Sequence, residues 1–242
     1  MSISLNSIQR SKSLYEQTYD ALRTSILTGD LEPGARLVET QLAEQLQVSR
    51  TPIREAIRQL QRDNLVTADA NGSLRVTTIS IADVAQLYDC RIALEQLSVE
   101  AACQNATALQ LRRLEDLVSQ AEHLQTQPWA QSARSPRSSS YLLDLDYQFH
   151  HTIAESSQNR WLVTLLEQVF DQMTLLRVQT TRHNPRVLEI RLEHRQIFTA
   201  IAQRDVVASV DAIRSHLIAS KARVIQEVKN LHVAIGDSEA GD

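Results

Sequence analysis

The order of residue patterns between Ser13 and Thr78 restricts the fold of this chain more than any other feature of its sequence. Three stretches carry apolar residues at helical spacing, and two short strand-like runs at 65–68 and 74–78 follow them. An Asn-Gly pair between the runs marks a tight turn. Two helices, a turn, a third helix and a hairpin, in this order, make up a winged helix-turn-helix.

Beyond residue 80 the strand patterns stop and only helical patterns remain. With 5 glycines, 5 prolines and 4% aromatic residues, the chain is poor in turn formers and in aromatic strand residues. We therefore predict a mostly α protein, with the winged helix-turn-helix over residues 8–79 and an all-α helical bundle over residues 80–232. The Ser- and Arg-rich stretch 127–140 is predicted to be a flexible loop, and the tail from Gly236 to be disordered.

The charge of the chain is acidic overall and uneven along its length. The net charge is −4 with a pI near 6.0, which by itself argues against nucleic-acid binding. Residues 1–80 carry nine basic and nine acidic residues, so any DNA binding must depend on a local cluster. Neither a signal peptide nor a membrane span is found, and Cys90 and Cys103 are interpreted as buried thiols, so we expect a cytoplasmic protein.

Such a local cluster lies on the third helix. Four arginines recur every fourth residue, at Arg50, Arg54, Arg58 and Arg62. This spacing places them on one face, where a helix in the major groove presents arginine to guanine edges and phosphates. Ser49 and Thr51 are placed to bind phosphate at the helix N-terminus, and Gly72 to approach DNA at the wing tip. The alternative is a solvated basic face paired with Glu55 and Asp63, but the position within a helix-turn-helix favours DNA.

A possible metal site is indicated in the helical bundle. Asp146 and His150 lie four residues apart on one predicted helix, so that they share a face. His194 and His216 lie at similar distances on either side of a turn near residues 204–205, which brings them to one level of an antiparallel hairpin. One carboxylate and three imidazoles suit a divalent ion such as Zn, Ni or Mn. An isolated Asp–His pair at this spacing is more often a surface or capping pair than a ligand pair.

At its N-terminal end the chain resembles the GntR family of bacterial repressors. The matching residues are Gly29, Leu31, Pro33 and Gly34, then Leu42-Ala43, and above all the run Val48-Ser49-Arg50-Thr51-Pro52-Ile53-Arg54-Glu55-Ala56. In the FadR-like branch, this resemblance implies DNA contacts from Arg50, Thr51, Arg54 and the wing glycine. Thr40 stands where a fatty-acid-responsive member of that branch has a DNA-contacting arginine, so no contact is assigned to Thr40.

The rest of the chain resembles the helical sensor domain of that branch, called FCD. The residues that carry the resemblance include Arg91, Glu95, Asp146, Phe149, His150, Asn159, Glu193, His194, Asp205 and His216. The resemblance implies a divalent metal held by the Asp and the three His. We expect Arg91 and Asn159 to bind an effector, with Arg91 holding the far end of a carboxylate. The alternative for Arg91 is an ordinary salt bridge to Glu95.

Together these expectations describe a homodimeric, DNA-binding transcriptional regulator, in particular a repressor, controlled by a small organic acid. No catalytic residues are predicted, because no general base stands at a convincing spacing from the metal ligands. Two alternatives are a metal-dependent enzyme that uses the His3Asp set, and a constitutive DNA-binding protein with a structural metal. The effector, the operator, the metal and the sign of regulation are not determined by the sequence.

Overall fold

The computed structural model describes the backbone of residues 12–126, 136–181 and 191–239, and within these ranges the side chains of 12–123, 141–180 and 192–230. The chain divides into two compact units, residues 1–77 and 78–242. Helices dominate the described residues and the only two named strands form one hairpin, so the prediction of a mostly α protein is confirmed.

The N-terminal unit contains three helices and the hairpin: α1 (Leu14–Leu27), α2 (Glu39–Gln45), α3 (Arg50–Arg62), β1 (Val66–Ala68) and β2 (Leu74–Val76). A capping box starts α1: Ser13 Oγ accepts a hydrogen bond from the Glu16 amide, and the Glu16 carboxylate accepts one from the Ser13 amide. The helices pack through residues that are almost completely buried, namely Leu22, Ile26, Ile53, Ile57 and Leu60. This core fixes α3 by one face and leaves its opposite face to solvent.

The hairpin pairs Val66 with Val76 and Ala68 with Leu74 in antiparallel register. Its turn is held by the Asp69 carboxylate, which accepts hydrogen bonds from the amides of Asn71 and Ser73. Gly72 has φ +76°, a left-handed conformation that suits glycine at a turn. The turn therefore projects an exposed glycine from a rigid base.

The C-terminal unit is entirely helical in its described residues, and its helices are α4 (Ile81–Asn105), α5 (Ala108–Thr126), α6 (Pro136–Ser156), α7 (Arg160–Thr181), α8 (Arg191–Ala202) and α9 (Val206–Glu239). A core of apolar side chains from α4, α5, α6, α8 and α9 surrounds Phe149 and Ile197. Arg204 makes the sharp turn between α8 and α9 at φ +61°. Its guanidinium donates to the carbonyls of Ala102, Cys103 and Ala106 at the end of α4, which ties this turn to α4.

Three expectations about the helical unit are wrong. Helix α6 begins at Pro136, so residues 136–140 are helical rather than part of a loop; proline is favoured in the first helical turn because that turn needs no amide donor. Residues 127–135 of the predicted loop lie outside the described residues. Helix α9 continues to Glu239, through the start of the tail expected to be disordered. Cys103 is a buried thiol as expected, whereas Cys90 is exposed.

Within the described residues, none of the helices has an apolar stretch long enough to span a bilayer.

Candidate functional site

The exposed face of α3 carries the arginines that the sequence singled out. Arg50 and Arg54 have side chains that are 53% and 51% exposed, and Arg58 is exposed as well. Ile53, which lies between Arg50 and Arg54 in the sequence, points to the opposite side and has no exposed surface. The amphipathic pattern of the helix therefore explains both its attachment and the presentation of its guanidinium groups.

Glu39 at the start of α2 binds two of these arginines. Its Oε2 atom accepts hydrogen bonds from Arg54 Nε at 2.7 Å and from Arg50 Nη2 at 3.2 Å. The hydrogen bond from Arg54 lowers the pKa of the Glu39 carboxyl. Partial desolvation opposes this shift, and the hydrogen bond from Arg50 adds to it. The ion pairs of Arg50 and Arg54 thus come from α2, a partner that the alternative interpretation of the stripe did not include.

The remaining predicted DNA-binding residues lie around the same end of α3 and on the hairpin. Ser49 is the N-cap of α3 and is exposed, with no hydrogen bond from its side chain to the helix, and Thr51 in the first turn is exposed too. Gly72 is exposed at the hairpin turn, and no atom lies within 4 Å of the position that a Cβ would take. The hydroxyls of Ser49 and Thr51 and the open turn are accessible to a phosphate backbone.

In the C-terminal unit, the four predicted metal ligands meet. Each of Asp146, His150, His194 and His216 offers a ligand atom, and these atoms all lie within 4.8 Å of one another. Helix α6 supplies the first two at the i, i+4 spacing, while α8 and α9 supply the others from the two sides of the Arg204 turn. All four residues are buried. The i, i+4 spacing and the position of the turn therefore predicted a juxtaposition that the structure contains.

The ligand atoms themselves lack partners. Among the buried polar atoms of the described residues, Asp146 Oδ1 and the Nε2 atoms of all three histidines have no hydrogen-bond partner. Buried polar atoms are normally satisfied, and leaving one unpaired costs roughly 1–3 kcal/mol. Four such atoms pointing to one place fit a bound cation, which would accept a lone pair from each of them.

Other side chains fix the ligands from behind. Glu95 Oε2 lies 2.5 Å from His150 Nδ1, and Glu193 Oε2 lies 2.7 Å from His216 Nδ1. A carboxylate that accepts a hydrogen bond from Nδ1–H leaves the Nε2 lone pair free for a metal, as in carboxylate–histidine–metal sites. Glu95 is paired in turn with Arg91, and the Asp146 Oδ2 atom with Arg177.

The protonation states in this cluster suit metal binding. Burial lowers the pKa of His216 to about 4, although the contact with Glu193 opposes this, and burial lowers the pKa of His194 well below 6.5. For Asp146, burial disfavours the carboxylate, but the nearby Arg177 and the histidines outweigh it and keep its pKa below the usual range. Neutral imidazoles and an ionised carboxylate are the forms that ligate a metal.

A small cavity adjoins the cluster. Its volume is about 10 Å³, and it is lined by Arg91, Leu143, Asp146, Tyr147, His150, Phe170, Met173, Thr174 and Arg177. Arg91 is 1% exposed, and although its Nε binds Glu95, its Nη1 atom has no hydrogen-bond partner. Arg91 therefore makes the salt bridge of the alternative interpretation and also lines the cavity, while its contact with an effector stays a prediction.

Asn159 does not line this cavity. Its side-chain oxygen accepts hydrogen bonds from the Trp161 and Leu162 amides and so caps the N-terminus of α7. At about 1.5 Å per residue, this end of α7 lies roughly 16 Å from Phe170, the first cavity residue on that helix. Asn159 therefore acts as a helix cap away from this cavity, and its assignment as an effector contact stays a prediction.

Arg177 was missed by the sequence analysis. It lies 31 residues from Asp146 on another helix, so no local spacing predicts their ion pair. Glu193 and Glu95 belonged to the residues that carry the family resemblance, but their roles behind His216 and His150 emerge only from the packing of the helices.

Comparison with known proteins assigns the family. Residues 14–76 match the family model "Bacterial regulatory proteins, gntR family", and residues 86–219, more than half of the chain, match the model "FCD domain". The chain is also 33% identical over 202 residues to the HTH-type transcriptional regulator YdhC of Bacillus subtilis (strain 168), covering 84% of this chain and 87% of that protein. The chain belongs to the GntR family of bacterial transcriptional regulators.

Other relatives of this GntR regulator agree in their architecture. It is 28% identical to the Uxu operon transcriptional regulator of Escherichia coli (strain K12), covering 88% of this chain and 87% of that protein. The solved structure of E. coli McbR/YncC has the same fold, with a TM-score of 0.74 at 23% identity, covering 89% of this chain and 99% of that one. The expectation of a GntR head followed by an FCD domain is confirmed.

Family membership also decides between the classes of function. A GntR helix-turn-helix binds DNA, and an FCD domain binds small-molecule effectors and in some members a metal. The GntR regulator is therefore not an enzyme, and the interpretation of the His3Asp set as a catalytic centre is wrong.

Proposed function

We propose that this GntR regulator is a repressor whose affinity for its operator is controlled by a small organic acid bound at a metal centre. In this proposal, residues 8–79 form the DNA-binding domain and residues 80–232 the sensor domain. The observation that carries it is the set of four buried ligand atoms, on Asp146, His150, His194 and His216, that lie within 4.8 Å of one another without hydrogen-bond partners.

The same four residues would hold the ion. A divalent ion such as Zn, Ni or Mn would supply a Lewis-acidic centre that binds carboxylate oxygens, and a six-coordinate ion would leave two positions open after the four protein ligands. Neighbouring side chains support the ligands and the cavity. Glu95 and Glu193 orient the imidazoles of His150 and His216, and Arg91 presents an unpaired guanidinium nitrogen to the adjoining cavity. This arrangement supports a carboxylate as the effector.

For the DNA-binding domain, we assign base contacts to Arg50, Arg54 and Arg58, and backbone contacts to Ser49, Thr51 and Gly72. The exposure of this face supports the assignment, since its guanidinium groups are open to a groove while the opposite face is buried. A homodimer with two such heads would bind a short palindrome. Effector binding would change operator affinity by a coupling free energy of ~1–3 kcal/mol.

The experiment that tests the metal centre uses the full chain purified without added metal and then loaded with Zn, Ni or Mn. Metal content after desalting is measured by mass spectrometry for the wild type and for His194→Gln. His151→Gln is the matched control, because His151 is the neighbour of His150 but contacts Glu155 and Glu167 instead of the cluster. We expect about one ion per chain in the wild type and the control, and loss in His194→Gln. Equal retention in all three proteins would refute the site.

Removal of the metal then distinguishes a sensing role from a structural one. A chelated chain that stays folded but no longer responds to organic acids would support sensing. A chelated chain that melts would indicate a structural metal in an effector-independent DNA-binding protein.

A further inference from the structure

The cavity beside the metal ligands is too small for the effector that the proposed function requires. At about 10 Å³ it admits one water molecule at most. An organic acid of three or more carbons can therefore enter only if a side chain that lines the cavity moves. Among the residues with charged side chains, the candidates are Arg91, Asp146 and Arg177.

Of these, Arg91 is held on several sides. Its Nε donates to Glu95, and its guanidinium carbon lies 5.9 Å from the ring centre of Tyr88 and 5.7 Å from that of Phe170. Glu95 also contacts His150, so Arg91 is held by an ion pair that is itself fixed and by two aromatic rings at once. Arg91 is consequently a fixed cation whose Nη1 already faces a place without a partner.

Arg177 differs because its partner is itself a metal ligand. It is 4% exposed and its Nη1 donates to Asp146 Oδ2, while Asp146 Oδ1 faces His150 and His194. The Asp146 carboxylate thus serves a guanidinium on one side and the metal position on the other. Because the arginine side chain is long, its guanidinium can leave this carboxylate and pair with another one nearby while the backbone of α7 stays in place.

Charge counting indicates what kind of acid the site accepts. Around the cavity and the ligand cluster, the buried guanidinium groups of Arg91 and Arg177 stand opposite the buried carboxylates of Glu95 and Asp146. Glu227 is also buried, but it lies about three turns beyond His216 on α9. Imidazoles that ligate a metal are neutral. A divalent ion would then leave two positive charges without compensation in a buried region, where unpaired charge is costly. One carboxylate would neutralise half of this excess, and a dianion all of it.

We infer that the effector is a dianionic organic acid and that Arg177 is the residue that recognises it, by exchanging Asp146 for one of the two effector carboxylates. The other carboxylate lies against Arg91 Nη1 and the ligand cluster. The apolar lining of Leu143, Phe170 and Met173 contacts the carbon chain. This inference rests on the proposed function, because it needs the metal centre to be occupied.

The test measures acid binding to the metal-loaded full chain by isothermal titration calorimetry. The probes are malonate, succinate and glutarate, with monomethyl succinate as the same skeleton carrying one charge, and inorganic phosphate as a dianion without carbon. The variants are Arg177→Gln and, to keep the positive charge, Arg177→Lys. Arg195→Gln is the control, because Arg195 makes an arginine–carboxylate pair with Glu122 away from the cavity. Metal content is measured on every sample.

We expect one of the dicarboxylates to bind the wild type at least about tenfold more tightly than its monoester analogue, in line with a charge-assisted pair. Arg177→Gln should retain the metal and lose this preference, Arg177→Lys should keep part of it, and Arg195→Gln should keep all of it. The preference of the wild type for a dicarboxylate over its monoester tests the inference without any variant. A variant that fails to fold would therefore leave this test intact.

Four results would overturn the inference without refuting the metal centre, and three of them concern the wild type. Those three are equal binding of dicarboxylate and monoester, phosphate binding as tight as that of the dicarboxylates, or binding of none of the three dicarboxylates to a metal-loaded chain. Full dianion preference in a folded, metal-loaded Arg177→Gln would also overturn it. Absence of metal binding in the wild type would instead refute the proposed function, and the inference with it.

Discussion

Acidification should destabilise the metal-free chain, because two histidines of the site are kept neutral by burial. The pKa of His216 is lowered from 6.5 to about 4, and that of His194 lies well below 6.5. Between the folded and unfolded pKa values, only the unfolded state binds the proton, so stability falls as the pH falls below about 6.5. At about pH 5.5, each histidine that stays neutral in the folded state costs about 1.4 kcal/mol relative to neutral pH.

His216 should therefore lower the free energy of unfolding by about 1.4 kcal/mol between about pH 7.5 and about pH 5.5, and His194, whose pKa is lowered in the same direction, should add to this loss. The carboxylates that contact the histidines do not interfere in this window. Glu95 and Glu193 have pKa values lowered to about 2, so their contribution is complete above the unfolded value of 4.5 and is lost only at more acidic pH.

The assay is urea unfolding of the chelator-treated chain, followed by tryptophan fluorescence. Both tryptophans, Trp129 and Trp161, belong to residues 78–242, so the signal reports the unit that contains the site. His216→Gln should reduce the pH-dependent loss by about 1.4 kcal/mol, whereas His123→Gln, at an exposed position, should leave it unchanged. Equal stability at the two pH values, or an undiminished loss in His216→Gln, would refute the reasoning.

Three further predictions concern the DNA face and the metal ligands. Arg54→Ala should weaken operator binding by ~1–3 kcal/mol in an anisotropy titration on DNA upstream of the regulator's own gene. Arg160→Ala, a surface change on α7, should not, and equal weakening would exclude a specific role for Arg54. Glu39→Gln should raise affinity for random-sequence DNA about threefold to tenfold and steepen its salt dependence, because it releases two guanidinium groups; an unaltered salt slope would contradict this. Glu193→Gln should weaken metal binding about tenfold in a chelator competition, since His216 loses its carboxylate partner, and Glu122→Gln should leave it unaffected.

Periodicity and spacing predicted those parts of the molecule that depend on neighbours in sequence. The i, i+4 relation placed Asp146 beside His150, and the turn near Arg204 brought His194 and His216 to one level. Local composition was less successful where packing decides. The Ser-rich residues before Tyr141 and the small residues after Gly236 resemble loop sequences, yet each extends a helix that is already packed along its length.

The contacts that sequence analysis did not find are those between distant helices. Arg177 meets Asp146, and Glu39 meets Arg54, only after the helices that carry them have packed, and neither pair has a fixed spacing. Asn159 shows the opposite case. Its place in the family pattern suggested a ligand contact, whereas its role here follows from its neighbours, since asparagine is a favoured N-cap residue.

The origin of the four ligands from three helices has a consequence for the chain as a polymer. Asp146 and His216 are 70 positions apart, so an ion that bound both would close a loop of that length. A covalent link between such positions restricts the unfolded ensemble by roughly 4 kcal/mol of entropy. An ion that holds all four ligands acts as a reversible staple of this kind. Without it, α6, α8 and α9 would be joined mainly by their shared apolar core.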